Sequence, residues 1–178
     1  FIESIKGRIS VWIQSFNSAI GNTPEAHRQA LFEDFINKGN SGILINNLAE
    51  SLEENSLDNF FIRLKSLIAS IPSHIFIKDK EAYYHTVIYL ILTLVGVRIK
   101  AEVHTNKGRI DAVIETEQTV YILEFKLGAA EKSLEQIEKM NYHQPYLAQG
   151  KKIVFVGIGF AIEERNIGDY LVKELSVN

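Results

Sequence analysis

The nonapeptide Lys152–Phe160, KIVFVGIGF, is apolar at almost every position. A strand with one wet face alternates, and one that does not must be covered on both faces. This segment therefore predicts an interior strand with helices on either side of its sheet. Such a strand is reached from a parallel neighbour by a right-handed crossover. The preceding chain supplies the parts: an apolar strand at Val120–Leu127, then helical spacing from about Ala130 to Met140.

Upstream, the hydrophobic period is two from Val97 onward. Val97, Ile99, Ala101 and Val103 fall on one face, and Arg98, Lys100, Glu102 and His104 on the other. Asn106-Lys107-Gly108 turns the chain into a second strand, Arg109–Glu115, and a turn around Glu117-Gln118 leads into the third. A helix capped by Asp79 runs to about Val95, with Gly96 as its left-handed stop. Asn166–Leu175 reads as a closing helix. The expected order is α, β, β, β, α, β, α.

Residues 1–72 carry helical spacing throughout. Thr23-Pro24 is a helix start, Ser41 and Ser56 are placed to cap two further helices, and Pro72 ends the last of these. Leu57, Phe60, Phe61, Leu64, Leu67 and Ile68 form its apolar stripe. The chain thus divides into a small helical unit, 1–72, a linker or the remnant of an upstream module, and an α/β (α+β) domain, 73–178.

The 178 residues include 46% hydrophobic and 23% charged side chains, enough to bury a core. A net charge of -3 supplies no global positive field for nucleic acid, so an anionic partner has to be held locally. There is no cysteine, hence no disulfide framework or thiolate metal site, and the cytoplasm is the default compartment. The longest apolar run, Val87–Val97, is far shorter than the roughly 20 residues of a membrane span, and no membrane partner is expected. No phosphate-cradling GxxxxGK[ST] loop is present. Because the sequence begins at Phe1, a fragment or processed product is expected.

Three polar residues interrupt the sheet where strand propensity would not place them: Asp111 in the second strand, Glu124 and Lys126 in the third. Glu124 and Lys126 are two apart and share a face. If the hairpin folds symmetrically about Glu117-Gln118, Asp111 lies directly opposite Glu124, where paired Cβ atoms are about 4.5–5.5 Å apart. Two carboxylates are then forced together beside one ammonium. A hard divalent cation resolves that repulsion. An acid-x-Lys triplet by itself carries no information in this composition, and a solvated face with a cross-strand ion pair is the bland alternative.

Around these residues the sequence resembles a family. GRIDAVIETEQTVYILEFK is similar to the core of the PD-(D/E)xK nuclease superfamily, with Asp111 in the PD position and Glu124-Phe125-Lys126 as the (D/E)xK. EAYYH, AEVHTNKGRID, YILEFKL, LEQIEKMNYHQPY and KKIVFVGIGF resemble, more narrowly, the nuclease-like domain that follows an AAA-ATPase-like module in Bacteroides-type bacterial proteins. The resemblance covers about residues 74–175 and implies a restriction-endonuclease-like αβββαβ core with a mixed central sheet. It also implies metal-dependent cleavage of nucleic-acid phosphodiesters. Asp111, Glu124 and the Phe125 backbone carbonyl would hold Mg2+ (or Mn2+), and Lys126 would position the attacking water. Glu81 would complete the acidic cluster, with a share in the metal, and Gln136 would lie near the scissile phosphate. DNA is taken ahead of RNA, and an upstream ATPase module is an expected partner. No proline precedes Asp111, whose neighbour is Ile110.

Other residues carry weaker signals. An acid at Glu81 is favoured in a first helical turn whatever its chemistry. His85, four residues on, shares its face and reads as a core or surface histidine. Glu102 reads as structural support. Lys107 and Arg109 flank a turn where they can meet phosphate or simply be solvated. Lys132 shares a helix face with Gln136, while Tyr142, His143 and Tyr146 fit base stacking and core packing equally well. Two other classes stay open: a degenerate nuclease fold serving as a nucleic-acid or protein binding module, and another metal-assisted phosphohydrolase. The oligomeric state is open, a homodimer included.

Overall fold

The computed structural model describes residues 41–71, 81–95 and 98–175. Among the described residues three helices precede the sheet, α1 (Ser41–Glu53), α2 (Leu57–Ala69) and α3 (Glu81–Val95). Strands β1 (Arg98–Thr105), β2 (Gly108–Glu115) and β3 (Thr119–Leu127) follow, then α4 (Ala130–Lys139), a 3-10 turn at Gln144–Gln149, and strands β4 (Lys152–Ala161) and β5 (Asn166–Glu174). The expected caps or stops at Thr23-Pro24, Pro72, Asp79 and Gly96 lie outside the described residues. Among the described residues no helix is long and apolar enough to cross a membrane.

The strands form one mixed sheet in the order β1-β2-β3-β4-β5. β1–β2, β2–β3 and β4–β5 are antiparallel, and β3–β4 is parallel, joined through α4 as the apolar β4 requires. Every residue from Ile153 to Phe160 is buried. Leu48, Phe60, Leu64, Tyr84, Ile88 and Ile91 cover one face of the sheet, against Leu123, Phe125, Val156 and Phe160. Helices α1 and α2 therefore share a core with α3 and the sheet. On the other face Ile137, Tyr142 and Tyr146 cover Val113, Ile122 and Phe155.

Two glycines let α4 lie close on β4. A Cβ at Gly157 would meet the Ala130 carbonyl oxygen at 2.6 Å and the Leu134 nitrogen at 2.7 Å. One at Gly159 would run into the Gly128 carbonyl and stand 2.8 Å from the Ala130 nitrogen. Ser133 Oγ donates to the Ile158 carbonyl at 3.1 Å, so the helix is hydrogen-bonded to the strand it covers.

The structure corrects two expectations. Asn166–Leu175 does not form a helix: Asn166–Glu174 is strand β5, antiparallel to β4. Ile167, Tyr170 and Leu171 have helical spacing, but a register shift at Gly159/Phe160 accounts for the offset within a strand. The ladder on β4 satisfies backbone groups that a helix here would leave open at the sheet edge. The second correction concerns β1. Ile99 packs against the core beside α1–α3, whereas Val103 packs against the core beside α4, so the strand does not keep one apolar face. Between them Glu102 has φ 49°, and the Glu102–Asp111 pair is missing from an otherwise regular ladder. β2 turns over at the same level, since Ile110 joins Val113 beside α4 while Ala112 faces the helices opposite. Ser56 flanks α2 without capping it; its Oγ accepts instead from Asn59 Nδ2 at 2.9 Å.

Candidate metal centre

Asp111 lies at the level where both hairpin strands turn over. The β2–β3 ladder keeps the expected register, Ala112 opposite Leu123 and Val113 opposite Ile122, and its regular pairs end at Ala112–Leu123. Past that point the Phe125 N–H donates to Asp111 Oδ2 at 2.9 Å. The strands have parted far enough for a carboxylate to enter between them. That side chain also comes within 3.9 Å of His85 Nε2 on α3.

Glu124, the next residue of the same register, is 1% exposed and faces α4. Gln136 Nε2 donates to its Oε1. The contact depends on the close approach of α4, because the β4 residue paired with Glu124 is Gly157. Glu124 Oε2 is buried and, among the described residues, has no hydrogen-bond partner. Burial, and then the charge of Asp111, push the Glu124 carboxyl up to about 8. Burial also raises Asp111, against the Phe125 N–H and the positive charges of Lys126 and Arg109. Two neighbouring carboxyls thus resist ionising together.

Lys126 extends from the same face of β3, with Nζ 3.9 Å from Glu124 Oε1 and 3.8 Å from Glu81 Oε1. Glu81, at the start of α3, also accepts the Leu127 N–H at 3.3 Å. It is therefore tied to the end of β3 and to Lys126, beside the Asp111–Glu124 pair. Among the described residues no three His, Asp or Glu side chains form a group that could hold an ion unaided. A cation here would need the two carboxylates together with the backbone oxygen of Phe125. The donor chemistry fits: hard oxygens, two acidic groups held near each other by the fold, and one buried oxygen without a partner among the described residues.

Two residues contribute more than their sequence signals suggested. His85 Nε2 stands 3.7 Å from Glu81 Oε1, and the ring packs against Phe125 with centroids 4.9 Å apart. Burial pushes its imidazole down to about 4, so it is neutral at ordinary pH. Its spacing from Glu81 was visible, but the approach to Asp111 depends on how α3 crosses the sheet. Glu102 holds Arg109 at 3.0 Å and lines a small pocket with His85, Asp111 and Phe125. Nothing in the sequence flags its left-handed backbone.

Tyr142 and Tyr146 are buried in the core beside α4, and the Tyr142 hydroxyl donates to the Arg109 carbonyl at 2.8 Å. Packing accounts for them. His143 lies against Phe155 with centroids 5.6 Å apart. Lys107 and Lys132 are exposed.

The model of the PD-(D/E)XK nuclease superfamily matches residues 79–170. A protein of Azotobacter chroococcum mcd 1, described as an uncharacterized protein in the vnfD 5' region, is 32% identical over 130 residues. The match covers 67% of this chain and 25% of the relative, so the chain spans about a quarter of the length of the curated relative it matches. No solved structure matches. The mixed sheet and its helices are those of an α+β, restriction-endonuclease-like fold. Asp111, Glu124, Lys126, Glu81 and Gln136 all fall within the matched segment, and the chain belongs to the PD-(D/E)XK nuclease superfamily.

Proposed function

We propose that the protein hydrolyses phosphodiester bonds of nucleic acid, DNA ahead of RNA, with a divalent cation (Mg2+ or Mn2+) held by Asp111, Glu124 and the Phe125 carbonyl. The observation that carries this reading is the carboxylate pair: half-buried Asp111 and buried Glu124 lie near each other, both raised, and among the described residues Glu124 Oε2 lacks a hydrogen-bond partner. A bound cation would neutralise the pair, polarise the phosphate and favour the hydroxide form of a coordinated water.

This chain's own residues supply the rest. Gln136 fixes the Glu124 carboxyl, and the Phe125 N–H fixes that of Asp111, so both donors are oriented in advance. Lys126 stands at the half-exposed rim, where its ammonium favours a negative attacking oxygen and charge building on the phosphate. Glu81 holds Lys126 from the other side. An ATPase module elsewhere in a longer protein and a cytoplasmic setting belong to the same proposal.

The test is cleavage of plasmid, linear, single-stranded and RNA substrates with Mg2+ or Mn2+, alongside calorimetric titration of Mn2+. Cutting that disappears with EDTA, with Asp111→Ala and with Lys126→Ala supports the reading. Absence of both cleavage and metal binding replaces it with a non-catalytic binding module.

A further inference from the structure

We propose that a second copy of this chain docks on the outer edge of β5, the two strands pairing antiparallel about Leu171 to make one continuous sheet. Among the described residues β5 pairs only with β4, leaving its other edge without a strand neighbour, and past the Gly168 carbonyl, which Lys65 holds, Asp169–Glu174 carries no proline. Long edge strands of this kind are templates for further pairing unless they are covered or charged. The exposed large hydrophobics collect here: Ile62 is 67% exposed, Val172 44% and Leu171 36%, with Leu147 the other one among the described residues. Ile62 belongs to this edge because it lies on the helix stripe of Asp58 and Lys65. The Tyr170 hydroxyl donates to Asp58 at 2.6 Å, and Lys65 Nζ donates to the Gly168 carbonyl at 3.0 Å.

The backbone selects which residues can meet. The Leu175 N–H donates to the Ile153 carbonyl of β4 at 2.9 Å, so by alternation odd-numbered β5 residues after the Gly168 irregularity turn their N–H and C=O inward. Tyr170, Val172 and Glu174 turn theirs outward, free to ladder with another strand. Of the registers that pair these groups, the one centred on Leu171 places it against its own symmetry mate. Asp169, which also accepts from the Ala130 N–H at 3.4 Å, then faces the second copy's Lys173, itself paired in its own chain with Glu138, twice, and Tyr170 faces Val172 twice. Shifting the centre to Val172 sets Lys173 against Leu171 and Tyr170 against Glu174, which matches neither charge nor hydrophobicity. The favoured pairing is self-complementary, as a two-fold interface requires.

The experiment measures the mass of the full chain by light scattering and sedimentation over about a hundredfold range of concentration. Wild type is expected at twice the chain mass. Val172→Pro removes an outward N–H without touching the β4 ladder, and Leu171→Lys sets two ammonium groups on the axis; each is expected as a folded monomer by circular dichroism. Asp169→Lys and Lys173→Asp should each weaken the dimer, and an equimolar mixture of the two should recover it, because both cross-pairs become opposite in charge. A wild type of single-chain mass throughout, or a dimer unchanged by both Val172→Pro and Leu171→Lys, overturns the proposal. Folded charge variants whose mixture shows no recovery overturn the register.

Discussion

Phe125 gives its backbone N–H to the side chain of Asp111, at 2.9 Å, where the regular β2–β3 pairs have just ended. An acidic residue thereby fills the role of a ladder carbonyl while keeping a second oxygen for other use. Asp111→Asn retains an oxygen acceptor for that N–H and should keep the wild-type melting temperature within a few degrees while losing Mn2+ binding by calorimetry. Asp111→Ala should lose both, with a stability cost of about 1–3 kcal/mol for the unpaired N–H. Equal melting temperatures for the two variants would refute a structural role for the hydrogen bond.

Glu124 ties stability to pH. Its carboxyl is raised from 4.5 to about 8 in the folded state. Between those values the native protein binds a proton that the unfolded chain has released, so stability falls as pH rises through this window. Melting curves in EDTA should show wild type losing stability from about pH 5 to about pH 8.5 relative to Glu124→Gln, at roughly 2–4 °C for each kcal/mol. A divalent cation, by favouring the ionised pair, should recover most of the loss at the alkaline end. A wild-type profile parallel to that of Glu124→Gln would contradict the raised carboxyl.

Gln136 reaches Glu124 only because α4 is pressed onto β4. Gln136→Ala should leave a buried carboxyl oxygen unpaired, cost about 1–3 kcal/mol and weaken Mn2+ binding, since the ligand is no longer oriented. Outer-shell losses of this kind are about 10- to 100-fold in metal affinity, a range that titration calorimetry resolves.

The glycines of β4 set that approach. At Gly159 an alanine would collide with backbone atoms of Gly128 and Ala130, which cannot rotate away as a side-chain tip could. Gly159→Ala should destabilise by about 3 kcal/mol or more in a denaturant melt and lower metal affinity through displacement of α4. Gly150→Ala, at a position open to solvent but with φ 67°, should cost only about 1 kcal/mol and spare metal binding.

Much of this arrangement was legible along the chain because it follows from short-range rules. Turn residues between alternating runs set the β2–β3 register as far as Ala112–Leu123, though Asp111 and Glu124 beyond it do not pair in the ladder as expected, and the apolar run at Lys152–Phe160 required a crossover helix and two covered faces. Helices α1 and α2 followed from apolar spacing alone. β5 was not legible, because Ile167, Tyr170 and Leu171 satisfy a helical period, and only the edge of β4 decides between the two conformations. The reversal of faces at Glu102 and Asp111 was equally hidden: strict alternation places Val103 with Ile99, and no residue there is a glycine.

The sequence by itself determined the order of elements through β4 and the hairpin register up to Ala112–Leu123, because spacing and turn chemistry act over a few residues. Only the tertiary structure decided that the strands part at Asp111, that α4 comes close enough for Gln136 to reach Glu124, and that α3 brings His85 and Glu81 to the same end of the sheet. These are distances between segments far apart in the chain, and they depend on how tightly the layers pack, which no local pattern encodes.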